Sequence, residues 1–140
     1  MAVVARFLLD TSAWARLGAA PVAARCVPLI RSGLVATCSV VDLEVLYSAR
    51  STASYAATRA DRALALELLP IEQPVLDRAV EVQAALAARG EHRGASMPDL
   101  IIAAAAERAG VAVLHYDAGY DLVASVTGQP VDWVVPRGSL

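Results

Sequence analysis

A buried strand followed at once by an acid sets the architecture: residues 3–12 read Val3-Val4-Ala5-Arg6-Phe7-Leu8-Leu9-Asp10-Thr11-Ser12. The apolar and partly β-branched run 3–9 is typical of a strand inside a parallel sheet. Thr11 or Ser12 is a suitable cap for a helix that begins near Ala13. Asp10 falls between the strand and the helix, so we expect its carboxylate at the carboxyl end of the strand.

Strands and helices alternate along the rest of the chain. Further strands are predicted at 34–38, 68–71, 111–114 and 131–135, and Pro70 places the second of these at a sheet edge. The helices predicted between and beside them cover 22–32, 39–50, 54–66, 75–88, 98–109 and 117–126. This alternation predicts an α/β fold whose mostly parallel sheet is covered by helices on both faces. The 140 residues fit one domain, 1–140.

Composition excludes several classes of protein. Hydrophobic residues make up 57% of the chain and charged residues 19%, which is too apolar for a disordered chain. The formal net charge of −2 argues against a general nucleic-acid coat, although it leaves room for a local basic patch. No apolar run reaches the roughly 18–20 residues of a membrane span, and no signal peptide is recognisable. We therefore expect a cytoplasmic protein that makes no membrane contact.

The two cysteines give little evidence of function. Cys26 and Cys38 have no partner residues at the spacing of zinc ligands, so a zinc site is not expected. Cys38 ends a strand-like run and is interpreted as a small buried apolar group. A disulfide between the two is left open, because no pattern in the sequence supports it.

Four acidic residues lie where an apolar chain should least favour them. They are Asp10, Glu44, Asp99 and Asp117, and each is flanked by core-type sequence. A carboxylate at the edge of a buried segment carries a desolvation cost unless a cation neutralises it. In a parallel sheet all four can reach the rim formed by the carboxyl ends of the strands. We interpret the set as side chains that converge on a divalent cation, which points to metal-assisted phosphoryl chemistry.

Each acid also has a simpler explanation. Asp10 can be a helix cap, and Asp99 can sit in a first helical turn for reasons of the helix dipole alone. Glu44 can be a solvent-facing residue, and Asp42 competes with it for the functional role. His115 offers an acid–base group but packing at the strand end explains it better. The four acids carry the metal interpretation together, not singly.

Four ordered motifs resemble those of the PIN-domain ribonucleases, most closely the VapC toxins of toxin–antitoxin pairs. The matching stretches are Phe7-Leu8-Leu9-Asp10-Thr11-Ser12-Ala13-Trp14, Leu43-Glu44-Val45-Leu46-Tyr47-Ser48-Ala49-Arg50, Pro98-Asp99-Leu100-Ile101-Ile102-Ala103-Ala104 and Leu114-His115-Tyr116-Asp117. The tail from Val126 to Ser139 also looks similar. The resemblance spans the whole chain, and its specificity lies in the order of the acidic motifs.

The resemblance implies a three-layer α/β/α domain and an acidic quartet of Asp10, Glu44, Asp99 and Asp117. It also implies a Mg²⁺ or Mn²⁺ cofactor and an endoribonuclease that cuts single-stranded regions of RNA, often tRNA or rRNA. A cognate VapB-type antitoxin would hold the toxin inactive, and a homodimer is expected. There is one departure from the family's closing pattern Asp-x-Asp-Phe: Gly119 stands where the second acid is usual, which puts a second metal in doubt unless Asp121 partly substitutes, while Tyr120 matches the aromatic.

Roles follow from this resemblance as expectations. Asp10 and Asp99 would be the metal ligands, while Glu44 and Asp117 would orient or deprotonate an attacking water. The acids need cations beside them to hold RNA, and Arg89 and Arg93 are the leading candidates because their loop precedes the Asp99 helix. Arg16 and Arg50 are weaker candidates. Ser12 is included as a polar group beside Asp10 that supports the ligand or the substrate.

Other classes with an acidic strand-end pocket fit less well. A phosphoacceptor receiver domain needs a lysine, and all 12 basic residues here are arginine. A haloacid-dehalogenase phosphatase needs Asp-x-Asp after its first strand, where Ser12 holds the third position. No glycine-rich turn suits a dinucleotide. A noncatalytic PIN-fold module that binds RNA or a partner protein stays open as the alternative, and Gly119 is the feature that favours it.

Overall fold

A five-stranded, entirely parallel sheet forms the centre of the computed structural model, which describes residues 2–140. The strand order is β3-β2-β1-β4-β5, so the first strand of the chain lies in the middle. The strands are β1 (Phe7–Leu9), β2 (Val35–Thr37), β3 (Glu67–Leu68), β4 (Ala112–His115) and β5 (Val131–Trp133). The predicted parallel sheet is therefore confirmed, and the N-terminal run indeed supplies a buried strand.

Seven helices connect and cover these strands within residues 2–140. They are α1 (Thr11–Trp14), α2 (Ala20–Arg31), α3 (Ser39–Tyr47), α4 (Thr52–Ala65), α5 (Gln73–Ala87), α6 (Met97–Ala109) and α7 (Gly119–Thr127). None of the helices in the described part of the chain is long and apolar enough to span a membrane.

The sheet has a separate hydrophobic core on each face, as the three-layer prediction requires. Leu8 and Leu9 are adjacent in β1 and point to opposite faces, because side chains alternate along a strand. Leu8 belongs to the larger core with residues of α3, α5, α6 and α7. Leu9 belongs to the smaller core, where it meets Val22 and Cys26 of α2 and Val134. The layers are thus α, β and α.

Element ends differ from the prediction where side chains decide them. The first strand begins only at Phe7, since Val3 and Val4 are exposed and outside the sheet. The helix after β2 starts at Ser39 and ends at Tyr47, three residues short of Arg50. Asp10, and neither Thr11 nor Ser12, caps α1 by accepting a hydrogen bond from the Ser12 N–H at 3.0 Å. Cys26 and Cys38 are both buried free thiols.

Helix α6 carries Asp99 into the interior. Leu100, Ile102 and the run 103–106 are buried on it, so the helix is enclosed almost all round. Ser96 caps its start, where the Ser96 hydroxyl oxygen accepts from the Asp99 N–H at 3.2 Å. Alanine-rich faces let α6 pack closely against α5 and α7. The first turn of α6 thereby reaches the carboxyl ends of β1 and β4.

Candidate active site

Asp10 is both the cap of α1 and a member of a buried acidic site. Asp10 is buried, with only 3% of its surface exposed to solvent. One oxygen, Oδ2, accepts from the Ser12 N–H at 3.0 Å and the Ser12 hydroxyl at 2.6 Å. The other, Oδ1, accepts from the Tyr120 hydroxyl at 2.6 Å. The two interpretations of Asp10 are therefore compatible, because each uses a different oxygen.

Asp99 faces Asp10 across the Tyr120 hydroxyl, whose oxygen lies 3.2 Å from Asp99 Oδ1. Burial, and after it the nearby charges of Asp10 and Asp117, raise the pKa of Asp99 to about 7. A hydrogen bond shared between the carboxyls of Asp99 and Asp117 also favours the protonated form. The carboxyl of Asp99 therefore titrates much closer to neutral pH than an ordinary aspartate.

Asp117 follows β4 and lies at the solvent side of the cluster. Its Oδ1 accepts from the Gly119 N–H at 2.9 Å, which makes a tight turn into α7. A Cβ atom built on Gly119 would lie 3.3 Å from Asp117 Oδ1 and 3.5 Å from Asp99 Oδ2. A side chain at position 119 would thus point among the carboxylates. Because residue 119 is glycine, the site lacks a side chain that would otherwise lie among these carboxylates.

Glu44 reaches the same edge by a different route. It lies half-buried on α3, and its Oε1 accepts from the Thr11 hydroxyl at 2.9 Å. Thr11 is the first residue of α1, directly after Asp10. The charges that act most on the pKa of Asp99 are those of Asp10 and Asp117. The structure therefore brings Asp10, Asp99 and Asp117 together and ties Glu44 beside them through Thr11.

Asp42, the competitor of Glu44, has a structural role. Its Oδ1 accepts from Arg62 Nη2 at 2.9 Å and from the Thr37 hydroxyl at 2.8 Å. The Arg62 side chain is 3% exposed, and its guanidinium lies 4.4 Å from the centre of the Trp14 ring. This ion pair fixes α4 to α3 and α1. Asp42 is neutralised there, which leaves Glu44 as the acid of α3 nearest to the site.

Tyr120 is the functional residue that sequence reasoning missed. Its ring is fully buried, and its hydroxyl is placed between Asp10 and Asp99. Burial, followed by the charges of Asp10 and Asp99, raises the pKa of Tyr120 well above its usual value, so the hydroxyl keeps its proton. It donates that proton to Asp10 at the shorter distance. The available signal was a tyrosine at the position where the family pattern has phenylalanine.

His115 supports the site from behind and does not line it. It is fully buried, and its ring centroid lies 5.0 Å from those of Tyr120 and Trp133. Nδ1 accepts from the Asp117 N–H at 3.1 Å, while Nε2 has no hydrogen-bond partner and lies 3.9 Å from Asp121. Burial lowers the pKa of His115, so the imidazole is neutral. Packing at the strand end explains this residue.

The arginines predicted to hold substrate differ from one another in their surroundings. Arg89 is engaged by Glu91, with Nε at 3.2 Å from Oε1, and by the Ser125 hydroxyl at 2.9 Å. Arg93 is exposed in the loop before α6. Arg16, the weaker candidate, touches the site edge directly, because its Nη1 donates to the Ser12 carbonyl at 2.7 Å. Substrate roles for Arg89, Arg93 and Ser12 stay predictions.

The carboxylate donors fit a hard divalent cation, although they do not form a closed cage. Among residues 2–140, no three histidine, cysteine or acidic side chains are already arranged to hold an ion. Hydrogen bonds from Ser12 and Tyr120 satisfy Asp10 meanwhile. Mg²⁺ commonly uses only one or two protein carboxylates and keeps several waters.

Comparisons with known proteins cover the part of the chain that carries these acids. The PIN domain family model matches residues 7–126, which include all four acids. Ribonuclease VapC51 of Mycobacterium tuberculosis is 46% identical over 136 residues, 96% of this chain and 97% of the relative. Ribonuclease VapC18 of the same organism is 44% identical over 136 residues, 96% and 98% of the two chains.

A solved structure supports the fold independently of close sequence similarity. The crystal structure of DNA-bound VapBC from Salmonella typhimurium matches with a TM-score of 0.74 at 17% identity, covering 94% of this chain and 99% of that one. At such identity the match concerns the fold alone. Together with the family model and the two full-length relatives, it shows that the chain belongs to the PIN-domain family, in the group whose curated members are named ribonuclease VapC.

Proposed function

We propose that this chain is the toxin of a type II toxin–antitoxin pair and a metal-dependent endoribonuclease that cuts single-stranded regions of RNA. One observation carries the proposal: Asp10, Asp99 and Asp117 meet at the carboxyl edge of the sheet, where burial, and after it the charges of Asp10 and Asp117, raise the pKa of Asp99 to about 7. The curated relatives named ribonuclease VapC support the choice of RNA as substrate.

Asp10 and Asp99 would hold Mg²⁺, or Mn²⁺ in its place. Both carboxylates are nearly buried, and the Tyr120 hydroxyl fixes the side of Asp10 that faces Asp99. Ser12 fixes the opposite side of Asp10. When bound, the metal would neutralise charge on the phosphate oxygens and lower the pKa of a coordinated water. The protein contributes two oriented carboxylates in a site with little solvent.

Asp117 and Glu44 remain for the attacking water. Asp117 is exposed at the mouth of the cluster and holds a fixed turn through the Gly119 N–H. Glu44 is oriented by the Thr11 hydroxyl and keeps a second carboxylate oxygen free of that bond. Either acid is placed to orient a water or to accept its proton.

For the RNA itself, we propose structured tRNA or rRNA with an accessible single-stranded segment. A solved PIN-fold neighbour, VapC20 of Mycobacterium tuberculosis, is described as a Sarcin-Ricin loop cleaving toxin and matches with a TM-score of 0.60 at 21% identity. That description concerns the neighbour. It provides a precedent for a loop in a structured RNA as the kind of substrate this fold cuts.

A VapB-type antitoxin is the proposed partner, because the matched solved structures include VapBC complexes. A groove of about 490 Å³ between α3 and α4 is the surface we assign to it. Leu43 and Leu68 are 67% and 60% exposed at this groove, and Arg59 and Asp42 give it polar edges. Leu43→Asp should reduce copurification with a coexpressed antitoxin. Equal recovery with Leu43→Asp would show that the partner binds elsewhere.

A homodimer is also proposed, with the apolar surface of α5 and α6 as its interface. Leu76, Val80 and Met97 are exposed there, beside Leu100 and Ile101. A patch with few polar atoms suits a two-fold interface, because each copy presents the same surface to the other. Val80→Arg should shift the purified chain from dimer to monomer in light scattering. A wild-type monomer at all concentrations would contradict the dimer.

The direct test of catalysis is RNA cleavage by purified Asp10→Asn and Asp99→Asn variants. Each should lose metal-dependent cleavage while its circular dichroism spectrum stays that of the wild type. Asp61→Asn is the matched control, since Asp61 is an exposed acid of α4 far from the site in sequence. Undiminished cleavage by both site variants would remove the proposed function.

The noncatalytic module is the second candidate, and the missing side chain at Gly119 is the observation that favours it. Such a module would bind RNA or a partner protein without cleaving RNA. Sequencing of RNA 5′ ends after induced expression separates the two candidates. New ends that disappear with Asp10→Asn indicate the nuclease, and unchanged ends with intact RNA binding indicate the module.

A further inference from the structure

Two arginines and two aromatic rings form a continuous row beside the acidic site. We name Arg16, Tyr116, Trp133 and Arg137 the arginine–aromatic strip. Tyr116 directly precedes Asp117, and Trp133 is the last residue of β5, the neighbour of β4 in the sheet. The strip therefore follows the carboxyl edge of the sheet outward from the acids.

The inner end of the strip is attached to Asp10. The Arg16 guanidinium lies 4.6 Å from the centre of the Tyr116 ring, and its Nη1 donates to the Ser12 carbonyl at 2.7 Å. The Tyr116 N–H donates to the Ser12 hydroxyl at 2.9 Å. That same hydroxyl donates to Asp10. A group bound at Arg16 and Tyr116 would thus lie directly beside the reacting centre.

The outer end continues through Trp133. The Tyr116 and Trp133 rings meet edge to face with centroids 5.3 Å apart, and the Arg137 guanidinium lies 5.4 Å from the Trp133 centroid. The indole N–H donates to Asp121 at 2.9 Å, which fixes the ring. Arg137 is exposed, whereas Arg16, Tyr116 and Trp133 are half-buried. The row is ordered at its base and open at its end.

The charges of the strip are not neutralised within the protein. In the described part of the chain, ion pairs to carboxylates engage Arg25, Arg62, Arg78 and Arg89. Arg16 and Arg137 form none among residues 2–140, and each is held instead over an aromatic ring. A cation placed over a ring keeps its charge and its N–H groups for an anion.

We propose that the arginine–aromatic strip binds the nucleotides of single-stranded RNA that flank the cut bond. The inference rests on the proposed function and adds the place where the substrate lies. The two guanidinium groups contact phosphates, while unstacked bases pack against the exposed surfaces of Tyr116 and Trp133 and against the guanidinium planes. An acidic site repels phosphate, so an adjacent unpaired cation supplies the attraction that the acids cannot.

The Tyr116 hydroxyl oxygen holds the C-terminal segment beside Arg137. It already accepts from the Gly138 N–H at 3.0 Å and the Leu140 N–H at 3.2 Å. The aromatic face and the guanidinium groups remain, and neither distinguishes strongly among the four bases. The strip therefore fixes the position of a single strand and tolerates many sequences.

The test is binding of a fluorescent single-stranded RNA of roughly 12 nucleotides to the full chain in EDTA, so that no metal-dependent cleavage occurs. Arg16→Gln, Arg137→Gln and Trp133→Leu should each weaken binding by about tenfold. The two arginine variants should also make the negative slope of log affinity against log salt shallower by about 0.7 each, while Trp133→Leu leaves that slope unchanged. Arg31→Gln, an exposed arginine at the end of α2, is the control and should bind like the wild type.

A conservative variant keeps the test decisive if Trp133→Leu folds poorly. Trp133→Phe retains an aromatic face at the same position and should therefore bind RNA more tightly than Trp133→Leu. In cleavage assays the strip variants should raise KM more than they lower kcat. Their Mn²⁺ affinity should equal that of the wild type, because the acids are untouched.

Unchanged affinity and salt slope in Arg16→Gln and Arg137→Gln would overturn the inference, as would a loss no greater than that of Arg31→Gln. Failure of the proposed function gives a different result. In that case the wild-type chain does not cleave RNA, or Asp10→Asn cleaves equally well, whatever the strip variants do to binding in EDTA.

Discussion

Asp99 shows how a single residue reports the chemistry of its surroundings. Burial, and after it the charges of Asp10 and Asp117, raise its pKa to about 7 and so favour the uncharged, protonated carboxyl when no metal is bound. Asp10, in the same pocket, accepts three hydrogen bonds from Ser12 and Tyr120. Two carboxylates of one pocket thus have different hydrogen-bond partners.

The raised pKa of Asp99 predicts how stability depends on pH without metal. The folded protein holds this proton up to a pH of about 7, whereas an unfolded chain releases it near 3.8. Folding therefore loses stability as pH rises from 3.8 to about 7. Asp99→Asn removes this loss and should make the metal-free protein more stable at pH 8 by roughly 1–3 kcal/mol.

Urea denaturation in EDTA at pH 5 and pH 8 measures this effect. The difference between Asp99→Asn and the wild type should grow toward the higher pH, while Asp61→Asn should track the wild type at both. Parallel pH profiles for Asp99→Asn and the wild type would show that Asp99 titrates normally.

Tyr120 makes a separate prediction, since its hydroxyl is buried between two acids. Tyr120→Phe keeps the ring that packs on His115 and removes the donor to Asp10. A lost hydrogen bond to a buried charged group should reduce the free energy of unfolding by roughly 1–3 kcal/mol. Tyr55→Phe, at a 40% exposed tyrosine, should change it by less than about 0.5 kcal/mol. Equal stabilities of the two variants, measured in urea, would contradict the role of the hydroxyl.

At the scale of elements, the alternation of strands and helices was predictable, and so was the parallel sheet. Apolar runs such as 111–114 and the glycine that follows α6 mark their elements locally. The end of α3 at Tyr47 was not predicted, whereas the cap of α1 by Asp10 was one of the alternatives that the sequence offered. The α1 cap is Asp10, whose second oxygen is fixed by Tyr120 from α7.

The buried ion pair between α3 and α4 holds these two helices together, and no local sequence pattern predicted it. Arg62 and Asp42 are 20 residues apart, and the guanidinium also covers Trp14 of α1. Arg62→Ala would leave Asp42 without its cation and should cost about 3 kcal/mol or more of unfolding free energy. Arg59→Ala, at an exposed arginine of the same helix, should have an effect below about 1 kcal/mol. Thermal or urea unfolding distinguishes them, and equal losses would refute the structural role of Arg62.

Across the whole molecule, the topology turns four separate motifs into one edge. Because β1 and β4 are adjacent and parallel, Asp10 and Asp117 follow strands that end side by side, and α6 brings Asp99 to the same place. Sequence order and strand ends were sufficient to predict this meeting of acids. The role of Tyr120 and the arrangement of the arginine–aromatic strip could not be predicted from the sequence, because they depend on how side chains far apart along the chain approach one another.

Gly119 lies at the position where a further acidic side chain could contribute to metal binding. Gly119→Asp would place a further carboxylate against Asp99 and Asp117, whose oxygens lie within 3.5 Å of a Cβ built there. Without metal this variant should be less stable than the wild type at pH 8, by about 1 kcal/mol or more, because like charges are added. Mn²⁺ should recover more stability in Gly119→Asp than in the wild type, as thermal unfolding with and without Mn²⁺ would show. A smaller Mn²⁺ effect in the variant would mean that the glycine keeps the site open for another reason.

The convergence of acids on a divalent ion is tested most directly by calorimetric titration of the metal-free chain with Mn²⁺ at pH 8. The wild type and Asp61→Asn should take up the metal with equal affinity, whereas Asp10→Asn and Asp99→Asn should show no saturable uptake. Saturable uptake of equal affinity in all four proteins, or none in the wild type, would contradict the acidic cluster as a metal site.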